Sequence, residues 1–150
     1  MSSDSRRGKR GAPGMSEMSL TVTHTGKGFA LDCTTPEGVP LRFDADGGTF
    51  GATPMQHLLA ATGACALMDV NLILAKKRLT YSNLRVECVG ERPSEGTPKP
   101  FHGIKLVFRV DGDVPQKAFD DAVRLSVEKY CSVEATLRKA TPVAFEARVG

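Results

Sequence analysis

Tryptophan is absent from this chain, and only two Tyr and seven Phe supply its aromatic character. So sparse a set does not build the stacked platform that holds single-stranded nucleic acid. Charge of one sign is also lacking where a fold would be. The excess of +3 lies in residues 1–14, where Arg6, Arg7, Lys9 and Arg10 face one acid, Asp4, so the remainder is balanced. A neutral body exerts no net field toward DNA, RNA or an anionic membrane. No apolar stretch follows the basic start, which excludes a secretory signal. The longest uncharged run, Gly47 to Met68, contains Thr49, Thr53, Pro54, Gln56 and His57, too polar a set to span hydrocarbon. The four Cys, at 33, 65, 88 and 131, form no C-x-x-C pair and no dense framework. Zinc and a secreted disulfide scaffold are therefore excluded, and a cytoplasmic protein with reduced thiols is expected. His24, His57 and His102 have neither metal-ligand nor triad spacing, and no Gly-Lys-Ser/Thr follows Gly47-Gly48 to hold a phosphate. Carboxylates are spread evenly. No metal and no cofactor are implied.

What remains is an ordinary globular composition, 41% hydrophobic over 150 residues, enough for one core. Residues 1–18 are polar and aperiodic and are expected to form a disordered basic tail; residues 19–150 are expected to form one domain. Leu20 and Val22, then Phe29, Leu31 and Cys33, then Val39, Leu41 and Phe43 alternate with polar residues between Gly/Pro turns. Period two in three such runs predicts an antiparallel meander. Thr53-Pro54 opens a helix predicted to reach about Arg78, with Lys76, Lys77 and Arg78 suited to its C-terminal dipole. Leu58, Leu59, Cys65, Leu67, Val70, Ile73 and Leu74 make it apolar on nearly every side, so it should be central and buried. One sheet and one other helix cannot cover so many faces, and an obligate homodimer follows. Strands around Leu84–Cys88 and Ile104–Val110 come next, then a helix from Asp113-Pro115 to about Lys129. A short helix, Val133–Lys139, and a final strand, Val143–Val149, complete the chain. The order β-β-β-α-β-β-α-α-β reads as α+β with antiparallel sheet.

Among these residues only the thiols offer chemistry. Cys33 and Cys88 fall on the inward faces of strands and read as small core residues. Cys65, in mid-helix, reads as core by periodicity alone. Cys131 differs: it stands at the start of the short helix, where unpaired N–H groups favour a thiolate. On local electrostatics Cys131 is the better nucleophile.

The motifs around these two cysteines change that ranking. Gly51-Ala-Thr-Pro-Met-Gln-His-Leu-Leu-Ala-Ala-Thr-Gly-Ala-Cys65-Ala-Leu-Met-Asp-Val70 resembles the first cysteine motif of the OsmC/Ohr family. Ser126-Val-Glu-Lys-Tyr-Cys131-Ser-Val resembles its second. The Asp69-Val70 pair and the segment Gly90–Phe101 are most similar to the YhfA-like branch, and the resemblance spans residues 19–149. It implies an intertwined homodimer with six-stranded antiparallel sheets wrapped around two central helices and active sites at the dimer interface. It further implies a cysteine-based peroxidase acting on organic hydroperoxides and hydrogen peroxide. Cys65 would be peroxidatic and Cys131 resolving, with a dithiol reductant, such as a lipoyl protein, as partner. An ordinary thiol of pKa about 8.5 is only about 3% ionised at pH 7, and a mid-helix thiol gains nothing from the dipole. In the family an Arg of the N-terminal sheet assists; here the resemblance points to Arg42. Many members place a Glu directly after the motif proline, where this chain has Met55 and then Gln56. Asp69 shares the face of Cys65 and, when ionised, opposes thiolate formation. The alternative is a non-catalytic dimer of the same fold that binds a small apolar ligand or senses oxidants.

Overall fold

A computed structural model describes residues 14–45, 49–140, 143–144 and 146–148. Residues 1–13 of the expected tail, Gly47-Gly48, and Phe145 and Val149 of the expected last strand lie outside the described residues. Residues 14–18 carry no strand or helix, and Met15 and Met18 are exposed. The chain divides between Pro54 and Met55 into two compact units.

The first unit is the expected meander. β1 (Val22–His24), β2 (Leu31–Thr34) and β3 (Pro40–Phe43) pair antiparallel in that order. Cys33 pairs with Val22 on one side and Leu41 on the other, and is buried as expected. His24 has a structural task at the first turn. The Gly26 N–H donates to its Nδ1 and its Nε2 donates to the Gly28 carbonyl, both at 3.0 Å. The chain then returns beside β3, where Phe43 and Ala52 form a parallel bridge and the Asp44 N–H donates to the Ala52 carbonyl at 3.1 Å. Position 51 must be glycine for this return, because a Cβ there would overlap the Arg42 carbonyl.

The second unit is built on α1 (Pro54–Lys76) and a hairpin of β4 (Tyr81–Glu91) and β5 (Gly103–Gly112). β4 and β5 pair antiparallel from Tyr81↔Gly112 to Glu91↔Gly103, longer than alternation alone predicts. The extension passes an irregularity at Asn83, whose φ of 49° places it in the left-handed region that Asn tolerates. α2 (Gln116–Leu125) lays Phe119 and Ala122 against Val70 and Leu74 of α1. Leu84, Phe108, Val110 and Val123 close that core. Burial of a Val or Leu as complete as that of Val70 and Leu74 stabilises a fold by roughly 1.5–3 kcal/mol each.

Three features bear on the expectations. First, within this chain α1 buries one stripe, Thr62, Gly63, Ala66, Val70 and Leu74, in keeping with a helix too apolar for one sheet and one other helix to cover. Met68 and Leu72, on another face, are 72% and 53% exposed. A single sheet and a single partner helix cover only one side of a cylinder, so the other apolar face stays open. The helix is long and apolar enough by composition to cross a membrane, but its buried stripe serves the core. Second, the α-helix that should reach Lys129 stops at Leu125, and Ser126–Tyr130 form a π-helical turn before α3 (Ser132–Arg138). Third, no strand follows α3 among the described residues; Val143, Ala144 and residues 146–148 are outside any strand. The observed order, β-β-β-α-β-β-α-α with antiparallel pairing throughout the sheets, is the α+β architecture read from the sequence.

Candidate functional site

Cys65 lies in the middle of α1, half-buried, with Thr62 one turn before it and Asp69 one turn after. Cys131 sits where the π-turn ends and α3 begins, and is only 2% exposed. Though distant in the sequence, the two thiols lie near enough to influence one another: Cys65 raises the pKa of Cys131. Both are free thiols.

Cys131 does cap α3, as its position suggested. Its Sγ accepts from the Glu134 N–H at 3.4 Å. The electrostatic outcome is nevertheless the reverse of the local expectation. Burial pushes the Cys131 thiol above its ordinary value, and Cys65 raises it further; the Glu134 and Val133 N–H groups only partly offset this. Neighbours along the chain reveal a helix start, but not the burial that overrides it. Cys131 therefore keeps its proton at neutral pH, which suits a thiol that waits for a partner better than one that attacks first.

Ser126, the first residue of the second cysteine motif, was given no role by the sequence. It is fully buried, and its hydroxyl donates to the Ala66 carbonyl at 2.8 Å, with Asp69 Oδ2 farther off at 3.4 Å. The available signal was a serine at a core position of an otherwise apolar face, which demands a hydrogen-bond partner. Asp69 is half-buried beside this link.

The remaining expected residues behave differently. Cys88 packs against Gly63 of α1: a Cβ at position 63 would collide with its Sγ and lie 3.2 Å from Val86 Cγ1. Burial raises the Cys88 thiol, with the Gly63 N–H partly offsetting the rise. It is a packing residue, as expected. Arg42 belongs to the first unit, on β3, where Asp32 stands opposite it in register at 4.0 Å and its guanidinium lies 5.5 Å over the Phe50 ring. The first turn of α1 holds no acidic residue. Among the described residues no His, Cys, Asp and Glu cluster could hold a metal ion.

An open groove of about 1270 Å³ runs along the second unit. Met55, Leu58, Phe101, Phe108, Phe119 and Leu137 give it apolar walls. Thr62 and Glu134, the neighbours of Cys65 and Cys131, also line it, so one wall stands next to the thiol pair. Its volume exceeds the range of about 300–1,000 Å³ common for small-molecule pockets.

Comparison with known proteins agrees with this geometry. A family model described as OsmC-like protein matches residues 45–146. Protein YhfA of Escherichia coli (strain K12) is 38% identical over 107 residues, 71% of this chain and 79% of that protein. A hypothetical protein from Aquifex aeolicus VF5 is similar in structure, with a TM-score of 0.72 and 31% identity over 85% of this chain and 91% of that one. The organic hydroperoxide resistance protein OhrB of Bacillus subtilis shares the fold at a TM-score of 0.54 and 22% identity, over 79% of this chain and 88% of that one.

Proposed function

The chain belongs to the family of OsmC-like proteins, and from that premise we propose that it is a cysteine-based peroxidase of organic hydroperoxides. The observation that carries the reading is the nearness of Cys65 to Cys131, two residues from separate motifs, close enough for one thiol to raise the pKa of the other. In the proposed reaction the Cys65 thiolate attacks a peroxide oxygen. An S–O bond forms, the O–O bond breaks, and the alcohol leaves with a proton, giving a sulfenic acid at Cys65. The Cys131 thiol then condenses with it; an S–S bond forms and water leaves. A dithiol reductant returns both thiols by exchange and is itself oxidised to a disulfide. Hydrogen peroxide can enter the same cycle with water in place of the alcohol.

Two features support the direction of attack. Cys131 is held protonated by burial, so it is the poorer first nucleophile. The apolar groove beside the pair suits the organic part of a hydroperoxide, and a neighbour of this fold is an organic hydroperoxide resistance protein. Arg42 is the proposed activating cation, with Asp32 holding its guanidinium on β3. The open apolar face of α1, at Met68 and Leu72, is proposed to be covered by a second copy of the chain. The reaction is proposed to run in the cytoplasm, where a dithiol pool can close the cycle.

The breadth of the groove and the absence of an acid in the first turn of α1 favour one other reading, a non-catalytic dimer that binds a small apolar ligand or senses oxidants. Turnover separates the two. With excess dithiol, the wild-type protein should consume cumene hydroperoxide catalytically, and Cys65→Ser should not. Consumption that stops at one equivalent per chain while reductant remains would favour the sensor.

A further inference from the structure

The π-turn at the end of α2 has a consequence for the thiol pair. Its closing bond runs from the Cys131 N–H to the Ser126 carbonyl at 2.8 Å. A π-turn carries one residue more than an α-turn, so Cys131 emerges rotated by about 100° from where a continuing α-helix would leave it. The same Ser126 is fully buried and donates its hydroxyl proton to the carbonyl of Ala66 at 2.8 Å. Ala66 is the residue after Cys65, in mid-helix, so this bond caps no helix end. One residue is thus bonded through its backbone to Cys131 and through its side chain to the neighbour of Cys65.

We propose that Ser126 is a positioning residue that sets the approach of Cys131 to Cys65 and thereby the ease with which the pair closes to a disulfide. The proposal rests on the reading of these thiols as a redox pair. A disulfide tolerates a narrow range of separations and dihedral angles, and each constraint already present in the dithiol raises the effective concentration of one sulfur at the other. The methyl group of an alanine would fill nearly the same space but fix no direction.

The test uses glutathione rather than peroxide, so that it stands apart from peroxidase activity. The protein dithiol gives two electrons and two protons to one glutathione disulfide, yielding the Cys65–Cys131 disulfide and two glutathione thiols. Cys33→Ser/Cys88→Ser protein is equilibrated at graded glutathione ratios and the disulfide fraction is read by alkylation and mass. Ser126→Ala should lower the oxidation constant about five- to ten-fold, the effect of one buried hydrogen bond. Ser126→Val and Ser126→Thr have one shape and differ in the hydroxyl, so Thr should exceed Val by a similar factor even if both are less stable than wild type. A serine with a merely structural role would lower the melting temperatures of the dithiol and disulfide forms alike and leave the constant unmoved. Equal constants for wild type and Ser126→Ala, equal constants for Thr and Val, or a wild-type pair that stays reduced at every ratio would overturn the proposal. A protein that forms this disulfide yet ignores peroxide would sink the peroxidase reading alone.

Discussion

Replacing Gly63 by alanine tests the contact that seats the cysteine helix on its sheet. The new Cβ would fall inside contact distance of Cys88 Sγ and 3.2 Å from Val86 Cγ1, both on β4. Two opposing effects set the magnitude. Alanine in place of glycine in a helix interior stabilises by about 1 kcal/mol. Overpacking a well-filled site costs about 1–3 kcal/mol. The net expectation is a loss of about 1 kcal/mol, modest because a short cysteine side chain can turn aside, yet still a loss because in turning it presses on its own neighbours. The cycle with Cys88→Ala makes the argument sharper. Removing the sulfur opens the space that the new methyl at position 63 would occupy, so the double variant should return to near wild-type stability. The coupling energy between the two sites should then be about 1–2 kcal/mol. Urea denaturation of the four proteins, reduced and at one protein concentration, measures it. A Gly63→Ala protein more stable than wild type, with coupling below about 0.5 kcal/mol, would refute the claim that α1 and β4 touch through this glycine. Cys65 lies two positions farther along the same helix, so a displaced α1 should also slow disulfide closure in the single variant and recover in the double.

Other outcomes follow from the same physical picture. On the role proposed for Arg42, Arg42→Ala should slow oxidation of Cys65 by about tenfold at pH 7, the worth of about one pK unit, while changing stability little because the Asp32 pair is exposed; stopped-flow rates equal to wild type across pH 6–9 would refute that role. Cys131 has a folded-state pKa above its unfolded value, so its contribution to stability is complete below about pH 8.5 and is lost as pH rises through the folded value. Wild type should therefore lose stability relative to Cys131→Ser above that pH, and parallel melting curves through pH 10 would contradict the assigned direction. Light scattering at low micromolar protein should give a dimer, and a folded, stable monomer would leave the exposed Met68 and Leu72 face of α1 without its proposed cover.

Much of the architecture was legible because its signals are local. Alternation in Val22–Phe43 and the Thr53-Pro54 helix start depend on neighbours within one element, and the structure places strands and helix there. The π-turn was not legible. Phe119, Val123, Ser126 and Tyr130 fit a helical stripe whether the last turn is α or π, and the bond that Ser126 makes from the π-turn reaches another helix, 60 positions away. The length of β4 was underestimated because Asn83, a strand breaker by propensity, is accommodated as an irregularity. At the site, local reasoning identified Cys131 as a helix cap, which it is, and drew the wrong electrostatic conclusion. A cap contributes the Glu134 N–H at 3.4 Å with help from the Val133 N–H, and burial of the thiol outweighs both. The motif resemblance supplied the pairing with Cys65 that no periodicity could, and the core roles of Cys33 and Cys88 followed from strand alternation alone.

The central claim is that Cys65 and Cys131 act as one redox pair, with Cys65 attacking first. Its most direct measurement is a titration of the fully reduced protein with one equivalent of cumene hydroperoxide, followed by thiol counting and peptide mapping. The account predicts the loss of two thiols per chain, an intramolecular bond between Cys65 and Cys131, and Cys33 and Cys88 still reduced. Cys131→Ser should still lose the Cys65 thiol and over-oxidise with excess peroxide. A disulfide joining Cys131 to Cys88, or a Cys65→Ser protein that consumes the peroxide at the wild-type rate, would contradict it.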